Sequence, residues 1–484
     1  MTLSAPNDFS MPFIDTDIPL LDYQREGALF HLERGGRGLC SWEMGMGKTA
    51  LGCAVALSSL AVGKRLVLVC PPTLTINWQR EMGKFASALS TAIVRGQRVN
   101  GRAPEASDVP STDVVIVATS IFHHWVDALS ATDIDSLIVD ESHRVKSKKA
   151  QVTRAVTAFA GQINGARLLL SGTPEPNGRI MELECQYNVI GDLAWNAVGR
   201  GDFFRYFHHK VPAGTSGGRT FYKWEQVRLD EFHERTTSFT SRRRRDPNKD
   251  RLPVTVPMNP VVWKRYEAIE KDLIATLASD GYDRKRLARI ERSQALVKIG
   301  HLRRLAGEGK VDGIVEFVER LLADDEGVLV VAENNDVMDA LTLKLARHNP
   351  ATIRGGLSTK AKMEEADFFH SGQTRLLIGQ IDAVGVGYTL TGNGLNANVV
   401  MAQLPWTPAQ LRQAEDRLDR ISQTRRVTVH VMLASDPKGE GWSVDERLFG
   451  ILDHKYRSAS TIDDGLEDQL LEDIEDGLLA TYGG

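Results

Sequence analysis

The feature that most constrains this chain is the alternation of short apolar runs with longer segments of helical periodicity. This alternation is typical of parallel β-strands joined by crossover helices, such as those predicted over 49–61 and 73–85. The predicted strands form two series, one at 65–70, 114–118, 137–140 and 168–171, and the other at 327–332, 352–354, 375–379, 399–403 and 427–432. The pattern therefore predicts an α/β fold with two tandem lobes, each built on a parallel sheet flanked by helices.

A change of pattern separates the two series and sets the predicted domain boundaries. From about residue 176 to 310, aromatic and charged helical patterns predominate, interrupted by a Gly/Ser-rich turn at 213–218 and by four arginines at 242–245. We therefore predict helical insertions and a connector there. The predicted parts are an N-terminal extension (1–18), a first lobe that includes the start of the insertion (19–240), a linker with a helical insertion (241–310), a second lobe (311–460) and an acidic tail (461–484).

Charge is distributed unevenly along the 484 residues. The last 24 residues contain eight acids and no Lys or Arg, so the formal net charge of −4 for the whole chain leaves the first 460 residues at +4. A mildly basic body is compatible with a polyanionic partner.

Apolar runs and cysteine spacing exclude several classes of protein. The longest apolar runs, such as 66–70 and 328–332, are far shorter than the ~20 residues of a membrane-spanning helix, and the N-terminus lacks a signal pattern. We therefore expect a soluble intracellular protein with no membrane partner. The four cysteines have no metal-ligand or disulfide-framework spacing, which favours buried thiols at Cys40, Cys53, Cys70 and Cys185.

A glycine-containing segment before the helical pattern 49–61 predicts a phosphate-binding loop. The segment reads Trp42-Glu43-Met44-Gly45-Met46-Gly47-Lys48-Thr49. Glycines let backbone N–H groups at a helix N-terminus approach a triphosphate, Lys48 would neutralise its β- and γ-phosphates, and Thr49 would bind Mg²⁺. The generic pattern has Gly where this chain has Trp42, and a chance Gly-x-Gly-Lys-Thr loop is the alternative. The residues assigned to the nucleotide are Gly45, Met46, Gly47, Lys48 and Thr49.

Two adjacent acids at the end of the predicted strand 137–140 supply the second part of such a site. The carboxyl ends of parallel strands form the ligand-binding edge of open α/β sheets, so Asp140 and Glu141 are expected beside the phosphate loop. Asp140 would hold Mg²⁺, while Glu141 would orient and deprotonate the attacking water. Taken alone, the pair could also be ordinary capping residues.

These motifs, taken in order, resemble helicase superfamily two and, more closely, its Swi/Snf-related branch of double-stranded DNA translocases. Leu21-x-Tyr23-Gln24 is similar to the start of the family's adenine-reading element, which implies that Gln24 contacts the base. Segments 70–74 and 77–81 resemble the family's contact with one DNA strand, 140–146 resembles its Asp-Glu-x-His box, and 171–177 resembles its coupling element. The resemblance implies DNA contacts at Thr73, Asn77, Arg80 and Lys146, and coupling roles for His143, Ser171 and Thr173.

The second lobe continues the resemblance at 383–391, 405–408 and 413–423. It implies nucleotide contact by Gly387, DNA contact by Thr389 and coupling by Gln413. Three-residue spacing would put Arg417 and Arg420 on one face of a helix, and we predict that Arg420 is the arginine finger and Arg417 a second phosphate contact. A solvated basic helix face is the alternative. Asp419 and Ser422 depart from the family's usual His and Gly.

The resemblance covers roughly residues 20–435 and implies two RecA-like lobes, with ATP and Mg²⁺ as cofactors and without appended recruitment domains. The segments 387–391 and 413–417 are most similar to the annealing-helicase subgroup, which rewinds DNA and remodels forks. We predict a DNA-dependent ATPase that translocates on double-stranded DNA and remodels or rewinds branched DNA during replication, recombination or repair. The alternatives are a strand-separating DNA or RNA helicase and a nucleotide-gated DNA-binding scaffold with little turnover.

We further expect a monomeric motor whose partners are branched DNA and proteins of replication or recombination. The expected location is the cytoplasm of a bacterial cell or phage-infected host, or the nucleus if the source is eukaryotic.

Overall fold

The structure is a computed structural model, and it describes residues 15–61, 63–172, 174, 180–201, 203–216, 219–244, 248–279, 289–384, 388, 390–394, 396–406, 408–420, 423–438 and 443–459. The chain divides into two compact lobes, residues 1–245 and 246–484. Within the described ranges, no helix is long and apolar enough to cross a membrane. Several predicted features lie outside the described residues, namely Thr173, Gly387, Thr389 and the acidic tail.

The first lobe contains a parallel sheet with helices in its connections and a separate two-stranded sheet. Its strands are β1 (Arg37–Trp42), β2 (Arg65–Cys70), β3 (Thr91–Ile93), β4 (Val114–Ala118), β5 (Ile134–Asp140), β6 (Arg167–Ser171), β7 (His208–Ser216), β8 (Arg219–Gln226) and β9 (Thr240–Arg243). Its helices are α1 (Asp22–Leu32), α2 (Lys48–Ala61), α3 (Thr75–Phe85), α4 (Phe122–Ser130), α5 (Gln151–Ala160), α6 (Ile180–Ile190), α7 (Asp192–Val198), α8 (Phe203–Phe207) and α9 (Leu229–Thr236).

Strand order in this sheet is β3-β4-β2-β5-β6-β1-β9, with every pairing parallel. Strands β2 and β4 are apolar along almost their whole length because helices cover both faces, as is usual for parallel sheets. In this register Asp140 lies opposite Leu170, and Ser41 lies opposite Ser171. The ends of β5, β6 and β1 therefore meet at one edge of the sheet.

The second lobe repeats this plan with its own parallel sheet. Its strands are β10 (Lys249–Pro257), β11 (Gly327–Ala332), β12 (Ala351–Ile353), β13 (Leu376–Gln380), β14 (Asn396–Met401) and β15 (Val427–Ser435), in the order β10-β15-β14-β11-β13-β12. Its helices are α10 (Pro260–Ser279), α11 (Arg289–Gly309), α12 (Val311–Ala323), α13 (Asn335–Lys344), α14 (Thr359–His370), α15 (Ile381–Val384), α16 (Pro408–Glu415) and α17 (Val444–Ala459). The predicted α/β class with two parallel sheets is confirmed.

The predicted helical connector was wrong in part, because it contains strands. Strands β9 and β10 are the edge strands of the first and second sheets, and both are rich in charged residues. Edge strands face solvent along one side, so charges are tolerated there. Residues 213–216 of the predicted Gly/Ser-rich turn lie in strand β7, which pairs antiparallel with β8 from His208 opposite Gln226.

The four cysteines are buried with free thiols, as their spacing predicted. Burial raises the pKa of Cys40 to about 12 and also raises the pKa values of Cys53, Cys70 and Cys185. Desolvation is the first cause in each case, because a thiolate is poorly stabilised in an apolar interior. These side chains are therefore structural.

Candidate active site

The phosphate loop runs from the end of β1 to the start of α2. Gly45 and Gly47 adopt left-handed backbone angles, with φ of 77° and 73°, which residues with a Cβ rarely adopt. Lys48 donates from Nζ to the carbonyl oxygens of Trp42 at 2.7 Å and Glu43 at 3.1 Å. The Lys48 amine is therefore bound to the backbone of the phosphate loop itself, close to the first turn of α2.

Trp42, which departs from the expected pattern, is a packing residue. Its side chain is 1% exposed and lies against α1, where a Cβ built on Gly27 would come within 2.1 Å of the indole. The Tyr23 ring packs beside it with a centroid distance of 5.6 Å. The indole thus fills the space between the end of β1 and α1, and Gly27 makes that close contact possible.

Helix α1 is also fastened to the loop by hydrogen bonds. The Tyr23 hydroxyl donates to the Met46 carbonyl at 3.0 Å, and the Gln24 amide donates to the same oxygen at 3.3 Å. Gln24 is buried, and its other amide atom accepts a hydrogen bond from the Leu21 N–H at 3.0 Å. The predicted adenine-reading residue is thus placed beside the phosphate loop.

Asp140 ends β5 as a buried carboxylate with both oxygens engaged. Oδ2 accepts a hydrogen bond from the Trp78 indole N–H at 2.7 Å, and Oδ1 accepts one from the Glu141 N–H at 2.9 Å. Burial raises the pKa of Asp140 to about 6, the Glu141 carboxylate adds to this increase, and Trp78 and the nearby Lys48 oppose it. The ionised form of Asp140 is therefore disfavoured mainly by burial, and the Trp78 N–H, Lys48 and the Glu141 N–H offset only part of that effect.

Glu141 has a strained backbone immediately after the strand. Its φ of 50° and ψ of 52° are left-handed, a conformation that costs roughly 1–3 kcal/mol for a residue other than glycine. Strain of this kind is concentrated at functional sites. The turn directs the chain from β5 into a short 3₁₀ helix, Ser142–Val145, that carries His143.

The adjacent strand β6 brings the predicted coupling residues to this edge. His143 Nδ1 lies 3.3 Å from Glu141 Oε2 and 3.3 Å from the Ser171 hydroxyl. A Cβ built on Gly172 would lie 3.5 Å from the Lys48 amine, so β6 also approaches the phosphate loop. The fold thus brings Lys48, Glu141, His143 and Ser171 together, although they come from three separate segments of the chain.

The donors at this edge fit a magnesium-bound triphosphate. The backbone N–H groups of the glycine-containing loop and the Lys48 amine can bind phosphate oxygens. The Asp140 carboxylate and the Thr49 hydroxyl provide the oxygen ligands that Mg²⁺ prefers. Burial and the neighbouring Glu141 carboxylate disfavour the ionised form of Asp140 and so raise its pKa, and a bound cation would favour that ionised form. When bound, Mg²⁺ would neutralise phosphate charge during hydrolysis.

The predicted nucleic-acid contacts lie close to this edge in the first lobe. Thr73 belongs to a 3₁₀ turn, Pro72–Leu74, whereas Asn77 and Arg80 lie on the following helix α3, with Arg80 exposed. Lys146 is half-buried and its amine is 3.4 Å from the Glu182 carboxylate of α6. A phosphate group would have to compete with that carboxylate for the lysine.

Arg417 and Arg420 were predicted to lie on one face of a helix, but both lie beyond the end of the helix. Helix α16 ends at Glu415, and Arg417 and Arg420 follow it in a series of turns. Arg417 is buried, and its Nε donates to the main-chain carbonyl of Gln413 at 3.0 Å. Arg420 is half-buried. The three-residue spacing therefore does not place these two side chains on one helix face.

A buried ionic cluster accounts for the end of α16. Both Glu415 oxygens accept hydrogen bonds from Arg251 of β10, at 2.5 Å and 2.8 Å, and the Lys249 amine lies 2.8 Å from the same carboxylate. Asp416 also contacts Lys249 at 2.6 Å. These contacts tie the turn that precedes Arg417 to the edge strand of the second sheet.

Sequence reasoning missed two buried residues that organise the first-lobe site. Gln186 of α6 accepts a hydrogen bond from Ser142 at 2.8 Å and donates to the Pro174 carbonyl at 2.6 Å, so it joins two of the predicted motifs. A glutamine among apolar residues of a helix is the signal that could have revealed it, since buried polar groups need partners. The role of Trp78 toward Asp140 had no local signal.

The sequence matches the SNF2-related domain over residues 23–307 and the helicase conserved C-terminal domain over residues 310–422. The first match alone covers more than half of the chain. The chain belongs to the SNF2-related family. Its two parallel-sheet lobes are thus RecA-like lobes of a helicase-like ATP hydrolase, which confirms the predicted fold, family and enzyme class.

Proteins similar to this chain include two that are named as helicases. Human DNA annealing helicase and endonuclease ZRANB3 is 25% identical over a 468-residue alignment that covers 93% of this chain and 41% of that protein. The putative ATP-dependent helicase/translocase YwqA of Bacillus subtilis is 26% identical over a 464-residue alignment that covers 90% of this chain and 48% of that protein. The chain thus spans less than half the length of either relative.

A solved SNF2 structure aligns along nearly the whole chain. It is the Sulfolobus solfataricus SWI2/SNF2 ATPase core in complex with dsDNA, with 19% identity and coverage of 96% of this chain and 98% of that one. The TM-score of this alignment is 0.41.

Proposed function

We propose that this protein is an ATP-driven translocase on double-stranded DNA that remodels or rewinds branched DNA. The observation that carries the proposal is the convergence of Lys48, Asp140 and Glu141 at one sheet edge, beside a helix with polar and basic side chains. Similarity to a protein named a DNA annealing helicase supports the choice of branched DNA.

In the proposed reaction, the phosphate loop and Lys48 bind ATP, and Gln24 contacts the adenine. Thr49 and Asp140 would hold Mg²⁺, and Glu141 would remove a proton from the attacking water. Arg420 is proposed to stabilise the charge that develops on the γ-phosphoryl group, with Arg417 as a second phosphate contact and Gly387 beside the nucleotide. Preorganised positive charge of this kind lowers the barrier to phosphoryl transfer.

We propose that movement along DNA results from changes in the protein's affinity for DNA as ATP is bound and hydrolysed. The backbone-contacting groups would be Thr73, Asn77, Arg80, Lys146 and Thr389. Contacts with phosphates carry little sequence information, so binding should be independent of sequence and sensitive to salt. The residues proposed to transmit the nucleotide state are His143, Ser171, Thr173 and Gln413.

The test is to measure the ATPase rate of the purified protein without nucleic acid and with each of four additions, namely duplex DNA, single-stranded DNA, forked DNA with homologous arms, and RNA. We expect duplex and forked DNA to stimulate hydrolysis most. Fork regression should then be measured on the same forked substrate, with Lys48→Ala as the control that cannot use ATP.

The outcomes separate the alternatives. Stimulation by RNA alone, or by single strands without duplex, would contradict the proposal and favour a strand-separating helicase. DNA and ATP binding without DNA-dependent turnover would favour a nucleotide-gated scaffold. Duplex-stimulated hydrolysis without fork regression would restrict the function to translocation.

A further inference from the structure

Trp78 is a buried tryptophan that contacts two parts of the nucleotide site at once. Its side chain is 1% exposed, and its indole N–H donates to Asp140 Oδ2 at 2.7 Å. The edge of the same ring packs on the phosphate-loop helix α2, where a Cβ built on Gly52 would come within 2.7 Å of it. The ring is therefore held between α2 and the end of β5.

The indole also belongs to the helix that carries two proposed DNA contacts. Helix α3 buries Trp78 and Met82 on its inner side, while Arg80 is exposed and Asn77 is half-buried. A helix is a stiff element in which a displacement of one face moves the other. Any shift of α3 imposed by a phosphate backbone would therefore move the N–H that orients the Asp140 carboxylate.

We propose that Trp78 is a positioning residue that couples DNA contact by α3 to the orientation of Asp140. This inference rests on the proposed function, since it assumes that α3 contacts DNA and that Asp140 holds Mg²⁺. Outer-shell hydrogen bonds to metal ligands fix the orientation of the ligand, and their removal typically costs about 10- to 100-fold in metal affinity. The Trp78 N–H is such a contact for one oxygen, while the Glu141 N–H holds the other.

The first test is Trp78→Phe, which keeps an aromatic ring and removes the N–H. Anisotropy of fluorescently labelled ATP, measured without DNA across a Mg²⁺ titration, should show that the half-saturating Mg²⁺ concentration rises by about tenfold. This reading does not depend on hydrolysis or on tryptophan fluorescence. Gly52→Ala is a second variant that leaves the N–H present but pushes on the ring, and it should shift the titration in the same direction.

The second test measures the coupling itself. The affinity for duplex DNA is compared with and without a non-hydrolysable ATP analogue and Mg²⁺, because the ratio of the two affinities reports the coupling between the sites. Trp78→Phe should bring this ratio to within about threefold of one while leaving the nucleotide-free DNA affinity unchanged.

Trp125→Phe is the matched control. Trp125 is a buried tryptophan of the same lobe whose indole N–H donates to the Gly96 carbonyl at 2.9 Å, away from the nucleotide site. It should lower thermal stability as Trp78→Phe does, yet preserve the Mg²⁺ titration and the coupling ratio. Equal changes in the two variants, or a wild-type titration and ratio in Trp78→Phe, would overturn the inference.

Failure of the proposed function would have a different signature. If nucleotide does not change the DNA affinity of the wild-type protein, the proposed DNA motor and the coupling role both fall. The Mg²⁺ titration contains no DNA, so it would still decide whether Trp78 positions Asp140.

Discussion

The substitution Glu415→Gln isolates one charge in the buried ionic cluster of the second lobe. The Glu415 side chain is fully buried, and the side chains of its partners Lys249 and Arg251 are 7% and 14% exposed. Glutamine keeps the shape and one acceptor oxygen but removes the negative charge that both cations share. Two poorly solvated positive charges would then face each other across a neutral amide.

The magnitude follows from the burial of these groups. Removing one partner of a buried ion pair typically costs about 3–5 kcal/mol. Glutamine can still accept one hydrogen bond, and Asp416 remains 2.6 Å from Lys249, so we expect the lower end of that range. For a domain of this size, about 3 kcal/mol corresponds to a decrease of about 6–12 °C in Tm.

The assay is differential scanning calorimetry of the full chain, with Asp250→Asn as the matched control. Asp250 is a neighbour of Lys249 and Arg251 in β10, but its pair with Arg426 is solvent-exposed on both sides. Exposed pairs contribute little to stability, so the control should melt close to the wild type. A Glu415→Gln protein that melts no lower than this control would refute the reasoning.

The pH dependence gives an independent check on the same cluster. Burial raises the pKa of Glu415, but the charges of Lys249 and Arg251 outweigh burial and leave the pKa below its usual value. The ionised form thus stabilises the folded lobe above the unfolded pKa of about 4.3, and this contribution is lost as the pH falls through the folded pKa. The wild type should therefore lose more stability below about pH 4 than Glu415→Gln does.

Four further substitutions test the first-lobe site and the arginine assignment. Lys48→Ala should weaken ATP binding by about tenfold or more, measured by anisotropy of labelled ATP, and wild-type affinity would contradict the phosphate-loop assignment. Glu141→Gln should bind ATP normally while kcat falls about 10²- to 10⁴-fold, so unchanged turnover would remove it as the base. Arg420→Ala should spare ATP binding and lower kcat by about 10³- to 10⁵-fold; an unaltered kcat would exclude the finger role. Gly27→Ala should cost about 1–3 kcal/mol of stability by crowding Trp42, and an unchanged melting temperature would show that the indole can move aside.

The central strands were predictable because their environment is uniform. The runs 65–70 and 327–332 match β2 and β11 because strands covered by helices on both faces need apolar residues at every position. The meeting of Lys48 and Asp140 could also be predicted, since parallel strands bring their carboxyl ends to a common edge.

The edge strands could not be predicted in the same way. The segment around the arginines at 242 and 243 was predicted to be part of a helical connector, but both residues lie in β9, where Arg243 contacts Glu26 at 2.7 Å and lies over the Tyr23 ring. Strand β10 contains prolines and alternating charges, which edge strands tolerate. Their strand character depends on pairing with β1 and β15, which no local pattern records.

Long-range contacts explain the remaining differences at the site. The pattern around Arg417 favours a continuing helix, yet α16 ends at Glu415, which contacts residues of β10 more than 160 positions earlier. The bond between Trp78 and Asp140 joins residues 62 positions apart. Propensity describes neighbours along the chain, so contacts of this kind appear only once the sheet is assembled.

The burial of all four cysteines makes the protein convenient for site-specific labelling. Thiolates are the nucleophiles that attack thiol-reactive dyes, and these thiols are both buried and shifted toward the protonated form. A cysteine introduced at an exposed position, for example in place of Val261 on α10 or Leu343 on α13, should therefore react alone on the folded protein. Fluorophore pairs could then be attached at two such positions for single-molecule measurements without first replacing any native cysteine.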